Sequence, residues 1–144
     1  MKNILKILFL ILIILGIYII TKPKLSFGTF TNIPENLKDS GCTFYWTEQD
    51  VSNKNYALVS TFGNTENLEP NAIIFINNKL EELNTKDSDY LYKYKYENSK
   101  YAINIKVIRS TLNGNESYYE EGILTAKDNK GNSILRNIIG YCGV

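Results

Sequence analysis

Residues 90–108, YLYKYKYENSKYAINIKVI, carry the pattern that decides the fold. Tyrosine occupies every second position of the first seven residues. After a polar stretch, apolar side chains alternate in the same way from Tyr101 to Val107. Because successive side chains of a strand point to opposite faces, this period of two predicts two antiparallel strands joined by a hairpin.

Similar runs occur on both sides of this hairpin. The predicted strands cover 43–46, 56–62, 72–76, 79–84, 90–96, 101–108, 118–126 and 133–141. Turn signals such as Asn77-Asn78 and Asn113-Gly114 separate them, because Asn and Gly tolerate positive φ. Residues 79–84, KLEELN, also favour a short helix by intrinsic propensity. The sequence predicts an all-β fold, a small antiparallel meander of about eight strands that forms a barrel or a sandwich.

The N-terminal segment is the most hydrophobic part of the chain. Residues 7–20, ILFLILIILGIYII, contain no charge. As a helix this run is about 21 Å long, which is short for a hydrocarbon core of about 30 Å. It therefore fits either an uncleaved membrane anchor or a signal peptide cleaved near Gly28. We favour the anchor, with its N-terminus in the cytoplasm, because Lys22 and Lys24 are awkward between an apolar run and a cleavage site.

The predicted organisation has three parts. Residues 1–24 form the membrane anchor or signal segment, residues 25–41 a tether and the loop that leads into the domain, and residues 42–144 the β domain. Cys42 and Cys142 bracket that domain. An even number of cysteines in an exported chain indicates a disulfide, and hence an oxidising, non-cytoplasmic compartment. The anchor and the disulfide together predict a cell-membrane protein with its β domain outside the cytoplasm, or a periplasmic or secreted protein after cleavage.

Charge and composition exclude several classes of function. The formal net charge is +1, and removing the four lysines that flank the hydrophobic segment leaves 12 basic and 15 acidic residues. A mildly acidic domain without a basic cluster does not suit nucleic acid. The chain contains no His, which excludes Ser-His and Cys-His catalysis and removes the commonest metal ligand. We find no phosphate-binding loop or dinucleotide motif.

The spacing of the acidic pairs predicts no catalytic or metal site. Glu81-Glu82 and Glu120-Glu121 are adjacent, so on strands their side chains face opposite sides and cannot act on one bond. Glu48 with Asp50, and Asp87 with Asp89, are two residues apart and could share a face for a hard cation. Both pairs lie in polar stretches and are interpreted as solvated turn residues. The expectation is a protein that is not an enzyme and that uses no cofactor or metal.

The tyrosine row is the candidate binding surface. It consists of Tyr90, Tyr92, Tyr94 and Tyr96, which lie on one face of a single predicted strand. Two interpretations are open. The tyrosines either fill the core while the lysines between them are solvated, or they form an exposed platform. Tyr offers a large contact area at low entropic cost and is enriched at binding surfaces, so a platform would suit an envelope protein or a glycan.

The layout of the chain resembles that of small periplasmic lysozyme inhibitors, which combine an export segment, about eight antiparallel strands and a bridge that reaches the last strand. Of the Ser-Gly-x-x-Tyr type segment of those inhibitors, the nearest stretch here is Asn98-Ser-Lys-Tyr101, which lacks the Gly. No residue role is carried over. The function expected from the sequence is therefore a membrane-tethered or exported bacterial envelope protein that binds a partner or ligand. The alternative is a secreted or periplasmic inhibitor of a hydrolase such as lysozyme.

Overall fold

The structure is a computed structural model that describes residues 4, 6–13, 24–38, 41–62, 71–86 and 93–143. Residues 6–13 form helix α1. The remaining elements are a 3-10 turn at Glu35–Leu37, β1 (Gly41–Tyr45), α2 (Glu48–Asn53), β2 (Leu58–Thr61), β3 (Ala72–Ile76), β4 (Lys79–Thr85), β5 (Lys93–Glu97), β6 (Tyr101–Leu112), β7 (Ser117–Asp128) and β8 (Ser133–Gly143).

The eight strands form a closed antiparallel barrel in which each strand pairs with its neighbours in sequence and β1 pairs with β8. This confirms the all-β prediction and selects the barrel over the sandwich. Residues 79–84 lie in strand β4, antiparallel to β3, so the helical alternative for this segment is wrong. The turn between β3 and β4 is the predicted one, since Asn77 and Asn78 have φ of 51° and 61°.

The barrel has two distinct ends. The turn end carries the β3–β4, β5–β6 and β7–β8 turns. The disulfide end carries the beginning of β1, the end of β8 and the β6–β7 turn at 113–116. Here Cys42 and Cys142 are register partners, with Cα atoms 4.1 Å apart, and their disulfide joins the first strand to the last. The predicted disulfide is thus confirmed, and it bridges the strand pair that closes the barrel.

The interior of the barrel is filled by side chains that alternate along the strands. Members of this core with almost no exposure are Phe44, Leu58, Ile74, Ile76, Leu83, Ile103, Ile105 and Leu124. Gly140 on β8 lies directly over the Phe44 ring, so this position has no room for a side chain. The alternation follows the period of two in the sequence, as expected where a small barrel fills its interior with side chains.

Residues 25–38, predicted as part of the tether and entry loop, pack against the barrel. Leu25 is buried in the main core with 4% exposure, and the Trp46 indole Nε1 donates a hydrogen bond of 2.8 Å to the Gly28 carbonyl. Further along, Leu37 joins Val59 and Ile73 in a second, smaller core on the outside of the barrel. The chain is therefore fixed to the domain from residue 25 onward.

The two helices lie outside the barrel wall. Helix α1 exposes the apolar side chains of residues 7–13, each between 43% and 67%. Among the residues that the structure describes, no helix has the length and apolar character needed to cross a membrane. Helix α2 was not predicted; it begins after Thr47, whose side chain accepts a hydrogen bond from the Asp50 amide and so caps the helix.

Candidate functional site: surfaces and the barrel interior

The predicted tyrosine row does not form an exposed platform where the structure describes it. Tyr94 and Tyr96 lie on β5 with only 4% exposure each and belong to the main core, whereas Tyr90 and Tyr92 lie outside the described residues. The reason is register: Tyr94 and Tyr96 pair with Ile105 and Ile103 of β6, which also point inward. For these two tyrosines, the interpretation as core residues holds.

The hydroxyl groups of these two tyrosines build a polar cluster inside the barrel. Tyr94 donates to the Glu120 carboxylate, with Oη 2.9 Å and 3.0 Å from its two oxygens, and the Tyr96 hydroxyl lies 2.9 Å from Ser60 Oγ. Glu120 is 5% exposed, and one of its oxygens is 3.5 Å from the Cys142 sulfur. The cluster therefore lies beside the disulfide.

Burial sets the acid–base behaviour of this cluster. It raises the pKa of Glu120 above its ordinary value of 4.5, although the hydrogen bond from Tyr94 acts in the opposite direction. Burial also raises the pKa of Tyr94, and the nearby negative charge of Glu120 raises it further. Both phenols therefore stay protonated, and Tyr94 serves as the donor that makes a buried carboxylate tolerable.

Glu81-Glu82 and Glu120-Glu121 face opposite sides of their strands as predicted and assemble no site in the described residues, whereas Asp87 and Asp89 lie outside the described residues. Glu81 is buried and accepts a hydrogen bond from Lys100, whereas Glu82 is exposed. Glu120 points inward, while Glu121 pairs with Arg109 on the outside. No group of three or more His, Cys, Asp or Glu side chains able to hold a metal occurs in the part of the chain that the structure describes.

The outside of the barrel carries a row of five aromatic rings that we call the aromatic strip. Its members, in spatial order, are Phe30, Tyr56, Tyr45, Tyr141 and Tyr119. Neighbouring ring centroids are 5.8, 5.3, 6.4 and 5.4 Å apart, and the rings are tilted or edge-on to one another. Tyr45 is buried beneath its neighbours, and the other four are half-buried. The strip thus crosses strands β7, β8 and β1.

One end of the strip is acidic. The Tyr119 hydroxyl donates to Glu48 Oε1 at 3.0 Å, and Glu121 lies at 3.4 Å. Burial and the hydrogen bond to Glu48 raise the pKa of Tyr119 to about 12, so this phenol remains a donor. Glu48, predicted as a turn residue, holds this position because helix α2 carries it to the outer wall.

Sequence reasoning missed the aromatic strip because its rings come from segments far apart in the chain. Each strip residue on a strand lies next to an inward-facing one, as Tyr141 does next to Cys142 and Tyr45 next to Phe44. The register of β7, β8 and β1 is needed to see that they meet. The inward Cys142 was the one signal that could have placed Tyr141 on the outer face.

A polar cleft of about 340 Å³ lies at the turn end of the barrel. It is lined by Asn77, Lys100, Tyr101, Asp128, Asn129 and Lys130. The Asp128 carboxylate accepts hydrogen bonds from the amides of Lys130 and Asn132 and from the Asn132 side chain, which together lower its pKa. The cleft therefore carries the Lys130 ammonium group, whereas the Lys100 ammonium pairs with Glu81 and the Asp128 carboxylate is held within its own turn.

Comparison with known proteins adds no further assignment: no protein-family model, curated protein or solved structure matches this chain.

Proposed function

We propose that this chain is a non-enzymatic, membrane-tethered envelope protein that binds a partner protein through the aromatic strip. The strip is the observation that carries the proposal. Half-buried tyrosines give a large contact area at low entropic cost, and their hydroxyls add hydrogen bonds at the rim of an interface. The acidic end of the strip at Glu48 favours a partner with a basic side chain at that point.

The tether is supported by the N-terminal sequence and by helix α1. A helix that is apolar on all sides belongs in an apolar environment, and α1 leaves its side chains uncovered by the barrel. The disulfide supports a location outside the cytoplasm, where such bonds persist.

A binding role fits the chemistry of the interior better than catalysis does. Glu120 is the carboxylate with a raised pKa, the kind of group that often marks a catalytic site. Its oxygens are buried and engaged by Tyr94, so a substrate cannot reach them without opening the barrel. The hydroxyl groups of Tyr94 and Tyr96 also face hydrogen-bond partners inside the barrel.

The test is site-specific photo-crosslinking of the full chain in its native membrane. A photoreactive residue replaces Tyr141, which lies in the strip, or Lys106, which is exposed on β6 outside it. We expect a discrete protein adduct of one mass from position 141 and none from position 106. A second variant, Tyr119→Ser, combined with the crosslinker at 141, should reduce the adduct roughly tenfold or more, because truncating an aromatic side chain next to the crosslinking position removes much of the binding energy.

Three results would contradict the proposal. One is equal crosslinking from positions 141 and 106, and another is an adduct that contains carbohydrate rather than protein. The third is an adduct that survives Tyr119→Ser at full yield while the variant keeps its disulfide and its melting temperature. Recovery of the native chain in soluble fractions, with a mass showing that the chain begins near Thr29, would contradict the tether.

A further inference from the structure

The chain joins the barrel at the turn end. The Ser26 amide donates to Asn77 Oδ1 and the Asn77 amide donates to the Ser26 carbonyl, both at 2.9 Å, and Phe27 bridges to Ile76. Asn77 belongs to the β3–β4 turn, and Leu25 is already in the core. The segment that precedes residue 25 therefore leaves the domain from this end.

The connection to the hydrophobic segment is short. Only four residues, 21–24, separate Ile20 from Leu25, and even fully extended this distance is at most about 18 Å. Strand β7 has 12 residues, which corresponds to about 30 Å along the barrel axis at a tilt of about 40°. With the hydrophobic segment in a bilayer, this connection keeps the turn end close to the bilayer surface, while the disulfide end can lie up to about 30 Å farther away.

Basic side chains are concentrated at the turn end. Lys24, Lys79, Lys100 and Lys130 are all exposed there. Two carboxylates at the same end are engaged by protein donors: Glu81 accepts from Lys100 at 2.9 Å, and Asp128 accepts from its own turn. At the disulfide end, Glu116 in the β6–β7 turn is exposed, whereas Glu120 is buried and bound by Tyr94.

The polar cleft lies in the middle of this basic surface. Lys100 and Lys130 flank it, and the Tyr101 hydroxyl and the Asn129 side chain add polar groups. The Lys130 ammonium group beside these polar groups suits a phosphate, whose oxygens accept several hydrogen bonds. Each lysine near an anionic bilayer surface makes the free energy of docking more favourable, because its positive charge is attracted to the lipid phosphates.

We infer that the turn end of the barrel docks on anionic phospholipid headgroups of the membrane that holds the anchor, with Lys79 and Lys130 contacting headgroup phosphates. This inference rests on the tether in the proposed function. It adds an orientation: the domain stands on the bilayer and holds its disulfide end outward. The aromatic strip then lies on the side wall, where a partner in the same membrane can approach it.

The test uses the full chain reconstituted into vesicles of phosphatidylcholine alone or of phosphatidylcholine with phosphatidylglycerol. A fluorescent donor is attached to Ser99→Cys at the turn end or to Asn115→Cys at the disulfide end, and an acceptor is placed in the lipid headgroups. Both positions are exposed, and the native cysteines are occupied in their disulfide. We expect strong energy transfer from position 99 and weak transfer from position 115, with the difference larger in the anionic vesicles.

Charge variants provide the second arm. Lys79→Gln with Lys130→Gln removes two turn-end charges and leaves Lys100 to hold Glu81. Lys93→Gln with Lys106→Gln removes two exposed charges from the side wall, where these residues face each other on β5 and β6. The first pair should lower the ratio of docked to undocked domain about fivefold per lysine, about 25-fold in all, and the second pair should leave it unchanged.

Two different failures are distinguishable. If the chain does not float with vesicles of either composition, the tether is wrong and the docking fails with it. If the chain floats but positions 99 and 115 give equal transfer, the tether stands and the docking is overturned. Equal effects of the two charge pairs, or equal transfer in neutral and anionic vesicles, also overturn the docking on anionic lipid.

Discussion

Removal of the disulfide is the change whose effect on stability follows most directly from the structure. The bond links Cys42 and Cys142, which are 100 residues apart. In the chain-entropy treatment, a closed loop of that length stabilises the folded state by about 4.7 kcal/mol at 25 °C. We therefore expect Cys42→Ala with Cys142→Ala to lower the free energy of unfolding by about 4 to 5 kcal/mol. That is a large share of the total for a domain of this size, typically about 5 to 15 kcal/mol.

The assay is urea unfolding of the full chain in detergent, followed by the fluorescence of Trp46. This is the one tryptophan, and it is buried away from the disulfide end. With a urea dependence of about 2 kcal/mol per molar, the midpoint should fall by roughly 2 to 2.5 M. The reduced wild-type chain serves as the control and should match the double variant.

A loss below about 1 kcal/mol would refute the reasoning, because it would mean that pairing of β1 with β8 closes the barrel without help from the bond. A reduced wild type much less stable than the double variant would point to a different cause. Free thiols beside the Glu120 carboxylate would then be costly in themselves.

Three further predictions concern single side chains. The free energy of unfolding of the wild type should fall as pH rises above about 4.5, because burial raises the pKa of Glu120 and ionising this group costs more in the folded state than in the unfolded chain. In urea titrations at a series of pH values, Glu120→Gln should flatten the dependence of stability on pH in this range. Gly140→Ala should cost about 1 to 3 kcal/mol, seen as a lower melting temperature, since its methyl group would overlap the Phe44 ring. Lys100→Met should cost about 1 kcal/mol in urea unfolding, because the exposed lysine is the charged partner of buried Glu81.

Much of the fold follows from local sequence because alternation and turn chemistry act over short distances. The turn at Asn77-Asn78 could be predicted because both residues tolerate positive φ, and its position indicates where the two strands that it joins end and begin. The disulfide could be predicted because a chain with two cysteines has only one possible pairing within itself. Helix α2 was missed although Thr47-Glu-Gln-Asp50 is a recognisable cap, with the side chain of Thr47 three residues before an acidic one.

The candidate site was harder to predict because tyrosine suits both a core and a surface. Alternation shows that Tyr94 and Tyr96 share a face, but not which face is inside, since their hydroxyls can be satisfied by water or by buried partners such as Glu120. The burial of Leu25 could not be predicted either, because a single apolar residue in a polar stretch gives no periodic pattern. Both assignments depend on contacts between distant segments.

The closed topology sets an order on how this domain can be built. Strand β1 is flanked by β2 and β8, so its second edge stays open until residues 133–143 have been synthesised and can pair with it. During that interval Cys42 is a lone thiol beside an unpaired edge, which can recruit the same edge of another copy. Until the eighth strand pairs with β1, a copy can therefore cross-link with a neighbouring chain instead of closing its own disulfide, and a high local concentration of incomplete chains favours cross-linking.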